Sequence, residues 1–476
     1  MSPLTVVLAV GALALHLAFA EAFYSNITRL CAGLEAATLV LLSARYVAVR
    51  PPRLPWVEAA YALFYTEFGL AVTVDPPPMG LGSVTPSTHS HEAAAILALA
   101  CGYALIVAFA ITAGALKGRL KTNPLLPRLD PDTLAAGASM HVFVAATYVI
   151  LASYSPALHQ TILVVANFTD GLFSSGPLIV VSGIAFLTRP GVGTRFRLIL
   201  AISAIAAGVA VTSMLSNAVL PLATFTILWW RARERVPFLP IAAGIAALVI
   251  LQPVKAYYRD IQWTQHADMG VIDAWTKAFE NAEGDKKSGF TGQVSGSEAT
   301  RKRLNELTAL AYVYDVVPLS VPYGGGEVYG VLGYSLVPRL LWPEKPNMTK
   351  VGLDRFGIAL GLTDRDLAET STTGLTLPSQ GYYEHGIAGS LGWMALLGLS
   401  MALFSTYFGA TLAGTLAGAT TMMTWLIGIS GGFFNTFGGM WQAIFTATFL
   451  SWTVWWLGKR VLARGPRPSL TTRRLG

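Results

Sequence analysis

A proline-rich stretch in the second half of the sequence holds two cations in a rigid segment. Three prolines restrict the backbone of residues 337–346, and Arg339 and Lys345 lie near its two ends. Guanidinium groups bind phosphate oxygens in pairs, so two fixed cations suit a pyrophosphate group. The alternative is a proline-rich surface turn whose cations meet lipid head groups.

Further cations precede this stretch. Arg259 follows a long apolar run, where it is either a phosphate ligand or an interfacial anchor with its charged end in water. Arg301 and Arg303 begin a segment with leucines at helical spacing, which predicts a helix over residues 300–317. These two arginines either add positive potential near a phosphate site or are solvated surface charges.

A third polar stretch, residues 378–389, leads into an apolar run and contains Gln380, Tyr382, Glu384 and His385. The carboxylate or the imidazole could accept a proton from a substrate hydroxyl. Adjacent residues point apart on a helix, so the two are not predicted to act as a dyad. The alternative is an interfacial loop with paired polar groups.

Several ionisable residues fall within or close to apolar runs: Glu21, Glu35, Glu67, His141 and Asp170. A carboxylate at membrane depth is costly and is a functional candidate by default. These groups could equally form structural pairs with Arg29 or Arg45.

The elements that must position these residues are predicted to be membrane helices. Of the 476 residues, 53% are hydrophobic and 12% are charged, and the mean hydropathy is +0.54. Apolar runs of about 18 residues recur, which is long enough to cross a bilayer, and in lipid such runs must be helical. The sequence predicts an all-α polytopic membrane protein with about 12 transmembrane helices and one large, partly helical loop. The predicted spans are 3–21, 28–49, 57–74, 93–116, 134–152, 161–188, 196–213, 215–231, 236–254, 387–408, 410–429 and 437–458.

The distribution of basic residues predicts the orientation. Nineteen Lys and Arg residues fall on one side of these spans, against Arg29 alone in the short loops of the other side. The positive-inside rule then places both termini in the cytoplasm and residues 255–386 outside. The predicted organisation is a bundle of about nine helices (1–254), the large outer loop with the site (255–386), about three closing helices (387–458) and a basic tail (459–476).

Other classes of function lack support in the sequence. It contains no P-loop, no zinc-type Cys/His spacing and no serine-elbow motif. Cys31 and Cys101 both lie in apolar runs, which favours buried thiols over a disulfide framework. No internal repeat is visible, so an inverted-repeat transporter gains no support. No metal, no cofactor and no nucleic-acid partner is expected.

The chain resembles the bacterial O-antigen and exopolysaccharide polymerases. The resemblance lies in many spans, a large late outer loop and a few closing spans. Local similarity covers about seventy residues, at Pro338-Arg339, Trp342-Pro343, Lys345-Pro346, Gly326-x-x-Tyr329, and Gly381-Tyr382 through Gly386 and Gly389. Some members carry Arg-x10-Gly motifs in outer loops, and Arg259 with Gly270 has this spacing.

This resemblance implies a membrane glycosyltransferase of the bacterial inner membrane that polymerises undecaprenyl-pyrophosphate-linked oligosaccharides on the periplasmic face. Arg339, Lys345, Arg259 and Arg303 would bind the pyrophosphate. Glu384 or His385 would deprotonate the acceptor sugar. Tyr329, Gln380 and Tyr382 would contact the sugar.

The expected partners are the lipid-linked oligosaccharide, the bilayer, a chain-length regulator and a flippase of the same pathway. The alternatives are an O-antigen ligase-type enzyme, which shares the donor chemistry, and a flippase that moves lipid-linked sugars.

Overall fold

A computed structural model describes most of the chain, and its described residues are predominantly helical. They are 3–49, 54–79, 83–117, 123–154, 172–212, 216–233, 251, 254–255, 257–258, 261, 270–288, 305–326, 328–335, 337, 342, 344, 353–362, 375–430 and 432–464. About 82% of the structure is helical, and these residues form no β-strand. The predicted all-α class is confirmed.

Within these residues the chain forms fourteen α-helices, and three short turns of 3₁₀ or π type lie at 70–73, 353–358 and 434–438. The helices are α1 Pro3–Phe19, α2 Asn26–Val49, α3 Trp56–Phe68, α4 Thr88–Ala115, α5 Pro131–Tyr154, α6 Ser175–Thr188, α7 Val192–Thr212, α8 Ser216–Arg233, α9 Val271–Ser288, α10 Glu306–Val316, α11 Val328–Ser335, α12 Leu377–Phe408, α13 Leu412–Ser430 and α14 Gly439–Arg464.

Five of the described helices are long and apolar enough to cross a membrane, namely α2, α4, α5, α7 and α12. Helices α1 and α6 are apolar but shorter. The prediction of about twelve spans is therefore wrong for the described residues, because several apolar runs form shorter or more polar helices. The apolar helices support a membrane protein.

Many helices nevertheless occur where spans were predicted. The two runs on either side of Ser213 form α7 and α8, and the closing runs form α13 and α14. The run at 161–188 is represented by α6, and its first part lies outside the described residues, as does most of the run at 236–254.

Helices α4 and α12 form the centre of the bundle and run in the same direction. Gly398 lies against the backbone of Leu105 and Phe109, where an added Cβ would come within 3.1 Å of the Phe109 nitrogen. At the end of α12, Phe408 stacks on Trp56 with ring centroids 6.2 Å apart. Small residues permit this close approach between membrane helices.

The segment between α8 and α12, predicted as an outer loop, is partly helical and packs against the start of α4. Asn305 caps α10 by accepting a hydrogen bond from the Thr308 backbone at 3.0 Å. His91 of α4 lies 3.3 Å from the Thr308 hydroxyl, and Ser90 donates to Asp315. The predicted helix over 300–317 is therefore observed from Glu306, one residue after its cap.

Within the part of the chain that the structure describes, Arg29 pairs with backbone carbonyls and with no carboxylate. Its guanidinium donates to the backbone carbonyls of Tyr24 and Glu21, both at 3.0 Å. Glu35 is buried at 2% exposure, and its Oε2 has no hydrogen-bond partner among the described residues. Arg29 and Glu35 therefore do not form the structural pair that the sequence left open, and Asp170 lies outside the described residues.

Candidate functional site

Helix α12 reverses direction near its start. His385 (φ −144°, ψ 23°) and Gly386 (φ 62°, ψ −147°) have non-helical backbone angles, and the Ser390 hydroxyl donates to the Pro378 carbonyl at 2.8 Å. In a continuous helix these two residues would be about 18 Å apart along the axis. The element is therefore a hairpin of two helical segments, 377–384 and 387–408.

Two glycines allow the hairpin segments to touch. A Cβ on Gly389 would overlap the carbonyl oxygen of Gly381, and one on Gly381 would come within 2.8 Å of the Gly389 backbone. The first segment is about 12 Å long, too short to cross a hydrocarbon core of about 30 Å. Only the second segment is long enough to span, and it begins at the residue predicted from hydropathy.

The glycine run at residues 324–326 pairs with the last turn of the first hairpin segment. Gly324 and Gly325 donate backbone hydrogen bonds to the carbonyls of Tyr383 and Glu384 at 3.0 and 3.3 Å. Gly326 donates to the Glu384 carboxylate at 2.7 Å. Gly325 and Gly326 have φ of 68° and 82°, a conformation that strongly favours glycine. Glu384, at 0% exposure, therefore anchors the run.

His385 directly follows Glu384 at the reversal and is exposed. Its imidazole stacks on Tyr329 with centroids 5.7 Å apart and an interplanar angle of 19°. The Tyr329 hydroxyl accepts a hydrogen bond from Trp393 Nε1 at 3.0 Å. The imidazole is therefore held against an aromatic surface in a residue that remains exposed.

Gln380 connects the hairpin to a second helix break. Its amide donates to the Leu375 carbonyl at 2.9 Å, and its carbonyl accepts from the Phe433 backbone at 2.7 Å. Gly432 (φ 78°) lies so close that a Cβ there would overlap the Gln380 amide. At 4% exposure, Gln380 hydrogen-bonds two backbone groups, and its contact with a sugar stays a prediction.

Tyrosines surround the reversal. Tyr382 is 6% exposed and lies 5.4 Å from Tyr314 and 6.4 Å from Tyr323, measured between ring centroids. Tyr323 and Tyr329 are 44% and 43% exposed. The accessible aromatic surface beside His385 is thus formed by Tyr323 and Tyr329, with Tyr382 behind it.

The predicted phosphate ligands Arg339, Lys345, Arg259 and Arg303 all lie outside the described residues. Part of the proline-rich stretch is described. Val337 donates a backbone hydrogen bond to Tyr334 at 3.2 Å, and Trp342 packs edge-on against the same tyrosine. This stretch follows α11, and Tyr329 lies at the other end of that helix.

The His385 imidazole can accept and donate a proton. The aromatic rings at the rim of the site can bind an apolar surface or the face of a sugar ring. Within the described part of the chain, no cluster of three or more His, Cys, Asp or Glu residues could hold a metal ion.

Sequence reasoning missed Tyr323, Trp393 and the pairing of the glycine run with Glu384. The glycine run approaches the protein's own backbone at Tyr383 and Glu384. Gly326 and Glu384 are 58 residues apart, so no local sequence pattern predicts their contact.

Comparison with known proteins identifies a family for this chain. The chain has no significant match among curated proteins or among solved structures. A family profile matches residues 89–461, which run from the second residue of α4 to near the end of α14 and include all of the described site. The chain therefore belongs to the family defined by a domain of unknown function, DUF8712.

Proposed function

We propose that this protein is a membrane glycosyltransferase that polymerises undecaprenyl-pyrophosphate-linked oligosaccharide repeat units on the periplasmic face of the bacterial inner membrane. The observation that carries the proposal is the exposed His385 imidazole, stacked on Tyr329 at the reversal of a helical hairpin. A proton acceptor beside an aromatic surface, at the end of a membrane-spanning helix, suits a sugar hydroxyl carried on a lipid.

In the proposed reaction, His385 accepts the proton of the acceptor hydroxyl as its oxygen attacks the anomeric carbon of the donor. The bond between that carbon and the pyrophosphate oxygen breaks, and the lipid pyrophosphate leaves. Arg339, with Lys345, Arg259 or Arg303, would stabilise the charge of the leaving group. This stabilisation acts where charge develops, so it favours the transition state.

Glu384 has a positioning role in this proposal. Its carboxylate is buried and accepts the Gly326 backbone hydrogen bond, and it therefore fixes the glycine run beside Tyr329 and His385. The sequence left open whether Glu384 or His385 is the general base. We assign this role to His385, because only its side chain is exposed.

The test is polymerisation by the purified protein, with a lipid-linked repeat as substrate and chain length scored on a gel. We expect His385→Ala to lower the rate by about 10²–10⁴-fold, which is the usual contribution of a general base. His89→Ala is the matched control, because His89 is also an exposed histidine.

Unchanged polymer from His385→Ala would refute the base assignment. Wild-type protein that forms no longer chain, and instead transfers the glycan to a different acceptor, would favour the ligase alternative. Movement of the lipid-linked repeat across vesicles without transfer would favour the flippase alternative.

A further inference from the structure

A groove at the far end of the bundle from His385 is lined by both apolar and cationic side chains. It lies between α2, α3 and α4 and has a volume of about 320 Å³. Leu42, Val49, Phe109 and Ala113 are among its apolar walls. This volume is within the range of small-ligand sites.

The groove lies at the opposite end of α4 from the candidate site. Helices α4 and α12 run in the same direction, and the reversal at Gly386 precedes the spanning segment of α12. Trp56, stacked on Phe408 at the other end of that segment, directly precedes the groove residue Val57. The groove is therefore a different site from the one around His385.

Two cationic side chains line the groove. Arg45 is near the end of α2, and Lys117 lies just beyond α4; both are exposed. Among the described residues neither forms an ion pair, and Glu58 is the one acidic residue that lines the groove. The lining residues thus carry a net positive charge. The two cations also offset the negative C-terminal ends of α2 and α4.

Aromatic residues indicate that this end of the groove lies at a lipid–water boundary. Tyr46 lines the groove and packs on Trp230 with ring centroids 5.6 Å apart. Tyr and Trp are enriched at membrane interfaces, where cations bind anionic head groups.

We propose that this groove binds an anionic glycerophospholipid, with an acyl chain along the apolar walls and its phosphate between Arg45 and Lys117. A zwitterionic lipid fits less well, because its head group adds a positive charge where two cations already stand. The inference does not depend on the proposed glycosyltransferase activity.

The test uses the full-length protein in nanodiscs of mixed phosphatidylglycerol and phosphatidylcholine, with the retained lipid identified by native mass spectrometry. We expect the double variant Arg45→Gln/Lys117→Gln to bind phosphatidylglycerol about 30-fold more weakly, since each basic residue near the surface adds about fivefold to lipid attraction. The matched control is Arg128→Gln/Arg195→Gln, which removes two exposed cations that do not line the groove.

A second pair of variants separates the lipid from a free anion. Ala113→Trp fills the apolar part and keeps both cations, whereas Ala115→Trp alters the same helix outside the groove lining. Loss of phosphatidylglycerol from Ala113→Trp alone supports the lipid site. Equal losses in both cation double variants would overturn it, as would unchanged lipid in Ala113→Trp together with displacement of the lipid by inorganic phosphate.

Discussion

At the residue scale, Glu384 and His385 illustrate how neighbours in sequence acquire different roles. The carboxylate is wholly buried and bonded to Gly326, and the imidazole is exposed. The sequence predicted that the two side chains point apart. It could not predict which of them is buried, because that depends on the glycine run, which is distant in sequence.

Substitution of Glu384 separates a positioning role from a proton-accepting role. Glutamine keeps an oxygen that can accept the Gly326 hydrogen bond, so we expect Glu384→Gln to retain activity within about tenfold. Glu384→Ala leaves the Gly326 donor without this acceptor and should lower the free energy of unfolding by about 1–3 kcal/mol. Transfer rate and thermal midpoint measure the two effects.

The exposed Glu280→Gln on α9 is the control for loss of one carboxylate. A loss of 10²–10⁴-fold in Glu384→Gln, with an unchanged thermal midpoint, would assign the base to Glu384 instead.

At the element scale, the reversal of α12 depends on a conformation available mainly to glycine. Gly386 has φ 62° and ψ −147°, so we expect Gly386→Ala to lower the free energy of unfolding by about 1–3 kcal/mol. Gly392 lies in the same helix, and a Cβ there would meet nothing within 4 Å. Gly392→Ala should therefore be neutral or stabilising by up to about 1 kcal/mol. Equal effects of both variants on the unfolding midpoint would contradict the assigned reversal.

The same element shows what sequence can and cannot predict. Hydropathy located the spanning segment at residue 387, because apolar residues are continuous from there. The first segment contains Ser379, Gln380 and Glu384, and this polarity is equally typical of a loop. Its helical fold depends on contacts with Phe433 and the glycine run, which no local pattern encodes.

Helix α10 carries a pH-dependent group in its first turn. Burial, with a smaller effect of the nearby Glu67 charge, raises the pKa of Glu306 to about 8. The folded protein therefore holds this proton more tightly than the unfolded chain, whose carboxyl ionises near 4.5. The associated stability is fully present below pH 4.5 and is lost as the pH rises to about 8.

We expect the thermal midpoint of the wild type to fall between pH 6 and pH 8.5, and Glu306→Gln to reduce that fall. Glu280→Gln, on the exposed face of α9, serves as the control. An identical pH profile for the wild type and Glu306→Gln would show that Glu306 does not contribute.

At the scale of the whole molecule, the candidate site and the lipid groove lie at opposite ends of α4. If the bundle spans a bilayer, the two ends face opposite sides. Single cysteines can test this: Leu319, at 85% exposure, follows α10 at the site end, and Leu125, at 59%, lies between α4 and α5. The native Cys31 and Cys101 are buried and should contribute little background.

We expect a membrane-impermeant maleimide to label Leu319→Cys but not Leu125→Cys in intact spheroplasts, and to label both after lysis. The reverse pattern would place the candidate site in the cytoplasm and refute polymerisation on the periplasmic face. Equal labelling in intact cells would contradict the opposite placement of the two ends.

Composition was sufficient to predict the helical class. Charges are scarce and apolar runs are long, and in lipid such runs must pair their backbone groups internally, as helices do. The number of spans was not predictable in the same way. The run that forms α6 has the hydropathy of a membrane helix, but the helix itself is only 14 residues long. The phosphate-binding cations remain predictions from the sequence.

The glycine run has one more consequence for the hairpin. Where a helix turns back, its last carbonyls lose their helical donors, and in hydrocarbon each such loss costs several kcal/mol unless water replaces the donor. Gly324 and Gly325 supply two donors to the carbonyls of Tyr383 and Glu384. The glycine run thus supplies hydrogen-bond donors that water would otherwise provide. The hairpin tip can therefore remain folded even when lipid or substrate displaces the surrounding water.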